Sequence, residues 1–143
     1  WARAENIEIP AQLYATLPVG TDGVLARVGG DELILECETA DPLYGRFKTA
    51  LTGARSVYPV EQQGVTLILG GAAALPTLAQ TCGVNFADQT LERLVYTRVA
   101  GASCAVLPQR RDDQTTYRLW VDCTLAVYMW ETLAEIVGEL LVD

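Results

Sequence analysis

The sequence predicts an α+β fold: an antiparallel sheet of about six strands built from hairpins, with helices packed on it. Three observations predict it. Runs rich in β-branched and aromatic residues come in pairs around glycine-containing or charged turns, at 21–38, 56–71 and 103–130. Segments of helical period stand between these pairs. No linker is long or polar enough to mark a boundary, so 1–143 is expected to form a single domain.

Taken in order, 21–38 reads as a hairpin around Gly29-Gly30, a pair that tolerates the positive φ angles of a tight turn. That turn would set Arg27 opposite Glu32 as a cross-strand ion pair. Segment 41–53 opens with Asp41 as N-cap and Pro42 at the first helical position, and it stops at Gly53. Segment 56–71 reads as two strands around Gln62-Gln63-Gly64. Pro59 would put the first at an edge or bulge, and Val65, Leu67 and Leu69 would make the second an interior strand. Segment 72–83 is helix-like but interrupted by Pro76. Segment 86–101 is expected to be a helix capped by Asp88, with Leu91, Leu94, Val95 and Val99 at helical spacing and a stop at Gly101. A second hairpin joins 103–109 to 117–130 through the charged loop 110–116. The chain closes with a helix over 132–143, with Leu133, Ile136, Val137, Leu140 and Leu141 inward and Glu131, Glu135 and Glu139 on the wet side.

Composition narrows the function classes. Half the residues are apolar, which suits a globular core, and 143 residues suffice to bury one. Lys and Arg number 10 against 18 Asp and Glu, for a net charge of −8. Such a surface repels phosphates, so neither nucleic acid nor an anionic membrane is an expected partner. Membrane insertion is not expected either: the longest weakly polar run, 64–79, is broken by Gly70, Gly71 and Pro76. The chain begins at Trp1 without an initiator methionine, and a mature or trimmed product is expected. The compartment is left open.

Few residues suit catalysis or ligand binding. There is no histidine, so no Ser-His or Cys-His pair can form. Ser103, in GASCA, lies outside any nucleophile-elbow pattern. Cys37, Cys82, Cys104 and Cys123 are far apart and make no zinc spacing, and no metal or cofactor is expected. The turn at Gly70-Gly71 lacks both a Walker lysine and a G-x-G-x-x-G pattern. Asp112-Asp113 and the Glu36/Glu38 pair are acids in solvent-facing positions, where nothing tunes them for proton transfer. The chain is therefore expected not to be an enzyme.

The segment 117–130 is YRLWVDCTLAVYMW. Read as one strand, it has an apolar face of Tyr117, Leu119, Val121, Cys123, Leu125, Val127 and Met129. The second face carries Arg118, Trp120, Tyr128 and Trp130. Either the chain's own segments cover that second face or a partner does. Tryptophan, tyrosine and arginine are the residues enriched at interface hot spots, so Arg118, Trp120, Tyr128 and Trp130 are the expected partner contacts. The cysteines can be buried thiols or disulfides. If the hairpin turns between Asp113 and Gln114, Cys104 faces Cys123, and those two form the candidate bridge.

Residues 110–130, RRDDQTTYRLWVDCTLAVYMW, resemble the closing loop and strand of tailed-phage tail-terminator proteins. That resemblance implies a virion component. Together these readings predict a non-enzymatic structural or assembly subunit, of a virion or another multi-chain complex, acting through a protein partner or self-association. The alternative is a small acidic partner-masking protein, such as an immunity protein or secretion chaperone.

Overall fold

The computed structural model describes residues 2 and 5–142. The chain divides into two compact units, residues 1–62 and 63–143, each with its own antiparallel sheet.

In the first unit, β1 (Thr16–Val19), β2 (Gly23–Arg27) and β3 (Leu33–Glu36) form a three-stranded meander in the order β1-β2-β3. Gly23 opens β2 where a Cβ would lie 2.6 Å from the Val19 carbonyl oxygen and 2.7 Å from that of Glu36, so only glycine lets the strands approach so closely. The hairpin β2–β3 pairs Arg27 with Leu33, not with Glu32. The loop is longer than a Gly-Gly turn: the Val28 amide donates to the Glu32 carbonyl (3.0 Å). Arg27 is committed to main-chain oxygens, those of Gly30 (2.6 Å), Ala11 (3.2 Å) and Gly29 (3.2 Å). Helix α1 (Pro42–Leu51) follows, as its punctuation predicts. The Asp41 carboxylate accepts from the Leu43 amide (2.7 Å), and Pro42 costs nothing where the amide would have no helical partner. Ile7, Val19, Leu25 and Phe47 form this unit's core.

The second unit is a four-stranded sheet in the order β4-β7-β6-β5, comprising β4 (Gly64–Leu69), β5 (Val95–Val99), β6 (Ala102–Arg111) and β7 (Gln114–Asp122). Two tight turns organise it. Ala100 and Gly101 both adopt positive φ (50° and 80°), as do Asp112 and Asp113 (45° and 63°). Each pair is a two-residue connection of the hand that matches strand twist. Helices α2 (Ala74–Thr81) and α3 (Ala126–Leu140) cover one face. Leu78, Phe86, Met129 and Leu133 pack there against Val99, Val106, Leu119 and Val121. Phe86 meets Tyr117 edge to face, with ring centroids 5.8 Å apart. Pro76 does not interrupt α2, because it falls in the first turn.

The fold class α+β holds, but the strands form two sheets of three and four rather than one of about six. Further local expectations are corrected. Residues 54–63 form no strand, and β4 pairs only with β7, so it is an edge strand with Ile68 exposed. Segment 86–101 is a 3-10 turn (Phe86–Asp88) followed by strand β5. There the alternating, β-prone Val95, Tyr96, Thr97 and Val99 gain a full ladder with β6, which outweighs a helical spacing of four apolar residues. The stretch 110–116 is mostly strand, with only Asp112-Asp113 turning. Finally, the strand through 117–130 ends at Asp122.

Candidate protein-protein interface

That last correction redistributes the predicted contact residues. The Asp122 carboxylate accepts from both the amide and the hydroxyl of Thr124. These bonds close a 3-10 turn (Cys123–Leu125), and α3 starts at Ala126. They also lower the Asp122 carboxyl pKa. Trp120 and Arg118 therefore lie on β7, whereas Tyr128 and Trp130 lie on α3. They do not form a single row.

Arg118 does not present its guanidinium to solvent. It is buried, its Nε donates to Gln109 Oε1 (3.0 Å), and the guanidinium carbon lies 5.9 Å from the Trp120 ring centroid. Trp120 is partly buried. Ala105 and Leu107, on the same sheet face, are buried. Tyr128 is half-exposed and anchored by its hydroxyl, which donates to the Ala100 carbonyl at the β5–β6 turn (2.7 Å). Trp130 alone of the four carries most of its surface in solvent, at 64% exposure.

Helical geometry shows what accompanies it. Met129 and Leu133 are buried, and Ile136, Val137 and Leu140 are partly so, which defines the inner side of α3. Residues at steps of three, four and seven share a side of a helix. Val127, Trp130, Ala134 and Leu141 obey that spacing on an outer flank that adjoins the inner side at Val137, seven residues from Trp130, and Val127 and Leu141 are each 68% exposed. A second apolar stripe thus runs about 21 Å along the helix axis at 1.5 Å per residue. Beside it, at steps of four, stand Glu131, Glu135 and Glu139, all exposed. Among the described residues these carboxylates make no ion pair, and α3 contains no lysine or arginine. Gly138 lies within the same outer sector, and a Cβ there would touch nothing within 4 Å.

The sequence pattern alone places Val127 and Leu141 on buried faces and the glutamates on a merely wet side. The signal that relocates them was present. Met129 extends the inward period of Leu133, Ile136 and Leu140 by one turn, and Asp122-Cys123-Thr124 is a turn sequence that ends the strand before it.

The thiols are all free: Cys104 buried, Cys37 and Cys82 partly buried, Cys123 exposed. The hairpin register sets Cys104 opposite Val121, two residues from the pairing that would have faced it with Cys123. The turn falls at Asp112-Asp113 and not after Asp113, and Cys123 lies beyond the strand. Burial, with Cys82 nearby adding to it, pushes the Cys104 thiol up to about 11. Burial also raises the Tyr117 hydroxyl. Cys82 Sγ lies 3.5 Å from Thr97 Oγ1, the residue paired with Cys104 across β5–β6.

By fold this is an α+β chain with two antiparallel sheets, and by surface it presents an amphipathic helix whose apolar sector extends beyond its buried part. No family model and no curated protein matches it. A solved structure that does is the heterotetrameric sarcosine oxidase from Corynebacterium sp. U-96 in complex with pyrrole 2-carboxylate. One of its chains is similar to this one with a TM-score of 0.76 and 20% sequence identity, over 96% of this chain and 71% of that one. The fold is thus shared with a chain of a multi-subunit enzyme. This likeness to a chain of an enzyme complex overturns the expectation of a purely structural or virion assembly subunit, and with it the partner-masking alternative. The tail-terminator resemblance falls too, because its 14 closing residues are not one strand but the end of β7, a 3-10 turn and the start of α3.

Proposed function

We propose that this chain is a subunit of a multi-chain enzyme complex of the oxidase type, and that it does not itself carry the reacting groups. The likeness to a chain of heterotetrameric sarcosine oxidase across nearly the whole sequence carries this reading. Side-chain chemistry supports the second half of it. The chain has no histidine, and Cys104, the most buried thiol, stays protonated at neutral pH because its pKa is about 11. Asp112 and Asp113 occupy a solvent-exposed turn, not a cleft. The exposed outer side of α3 supports the first half, since apolar patches rimmed by polar residues mark association sites.

The test is purification through a tag on this chain from its source, followed by oxygen uptake with sarcosine as substrate. The expected result is a stoichiometric complex with other subunits that consumes oxygen, while the isolated chain does not. A chain that purifies alone overturns the subunit reading. A stable complex without oxidase activity overturns only the oxidase part.

A further inference from the structure

Resting on that subunit reading, we infer that the outer side of α3 docks into an apolar groove on another subunit, and that this groove carries arginines or lysines along one edge. The occupant follows from the chemistry of the helix. Val127, Trp130 and Leu141 share one outer stripe, and Trp130 is the residue type that most often anchors an interface. Their spacing is that of a helix laid into a groove. The glutamate row defines the rest of the partner. Glu131, Glu135 and Glu139 repel one another at steps of four, and Glu139 stands in the last turn, where the helix dipole disfavours an anion. Nothing on α3 and no ion pair among the described residues offsets this. Cations on the facing subunit, set beside an apolar floor, are the complement such a row lacks.

The same row disfavours a second copy of this chain. A two-fold contact that runs two α3 helices antiparallel would set one glutamate row against its mate, and the net charge of −8 opposes self-association in either orientation. Gly138 offers an independent handle. A glycine inside a helix is unfavourable, and here the chain itself places nothing that would exclude a Cβ. A partner backbone approaching the helix at that point would exclude one.

The experiment uses the tagged full chain in its purified complex, with retention of the other subunits measured over a salt series. Four variants are compared with the unmodified chain: Trp130→Ala, Gly138→Ala, the triple change Glu131→Gln/Glu135→Gln/Glu139→Gln, and Asp112→Asn/Asp113→Asn as a charge control distant in sequence. Circular dichroism melting confirms that each is folded. Trp130→Ala is expected to weaken association by about 30-fold, the scale of a hot-spot truncation. The triple variant is expected to bind more weakly at low salt and to lose most of the salt dependence, while the control behaves as the unmodified chain does. Gly138→Ala is expected to weaken association without loss of fold. A complex indifferent to the α3 variants overturns this inference and leaves the subunit reading standing. So does a triple variant that binds as tightly as the unmodified chain, or a homodimer abolished by Trp130→Ala. A chain with no partner at all overturns both.

Discussion

Met129 and Trp130 are adjacent in sequence and opposite in environment. Met129 is fully buried under the second unit's sheet, and Trp130 is 64% exposed. The same contrast runs along all of α3. Met129 and Leu133 meet Leu119, Val121 and Val106, whereas Val127, Trp130 and Leu141 meet solvent. The apolar sector of α3 is wider than the part the fold buries, so hydrophobicity alone does not say where burial stops. Position relative to the strands does. The inner residues fall where the sheet offers apolar partners, and they contribute to folding. The outer ones leave most of their surface in solvent, so their larger benefit is expected in association.

Substitutions on the two sides should separate stability from binding. The largest effect is expected inside. Leu133→Ala or Met129→Ala leaves a cavity in the core of residues 63–143 and should lower its unfolding free energy by about 3 kcal/mol in chemical denaturation. A loss below about 0.5 kcal/mol would place that residue outside the core, in the range of ordinary surface changes.

A smaller effect is expected from pH, again on the inner side. Cys104 holds its proton in the folded chain to about 11, against an ordinary value of 9.0, and Tyr117 is raised as well. Between these values the folded state binds more protons than the unfolded one, so stability falls as pH rises. The contribution is intact below pH 9 and should be lost progressively toward pH 11. Cys104→Ser should flatten that alkaline limb, and a limb of unchanged slope would show that the buried thiol does not cause it. At pH 8, a thiol reagent should label exposed Cys123 well before Cys104.

Outside, the signs change. Gly138→Ala should raise the stability of the isolated chain by about 0.5–1 kcal/mol, since the new Cβ meets nothing and the helix gains backbone rigidity. A destabilised isolated chain would mean that the chain itself needs the glycine. The smallest effect is expected for Trp130→Ala, within about 0.5 kcal/mol in the isolated chain. A loss of several kcal/mol would make Trp130 a core residue and erase the distinction between the two sides.

Legibility in the sequence followed the range of the interactions involved. Helix α1 was readable because Asp41, Pro42 and Gly53 act within a turn of their own positions. The inward stripe of α3 around Leu133 was readable from its period. The strand β5 was not: Leu91, Leu94, Val95 and Val99 satisfy a helical spacing, and only the ladder to β6 decides between the two periods. The pairing of Cys104 failed for a similar reason. Moving the turn by one residue moves every partner by two, and the turn is set by the positive φ angles of Asp112 and Asp113.

For the contact residues, the sequence singled out Trp130 and Tyr128 as aromatic and near the end of a strand. It did not separate them from Arg118, which the fold buries beside Gln109. The sequence by itself determined the charge of −8, the lack of histidine, the caps of α1 and the inward stripe of the closing helix around Leu133. Tertiary structure decided that the strands form two sheets, that β7 stops at Asp122, and which stripe of α3 stays in water. The physical reason is that caps, turns and charge counts depend on neighbours along the chain. A strand's partner and a helix's buried side depend on apolar surface brought in from tens of residues away.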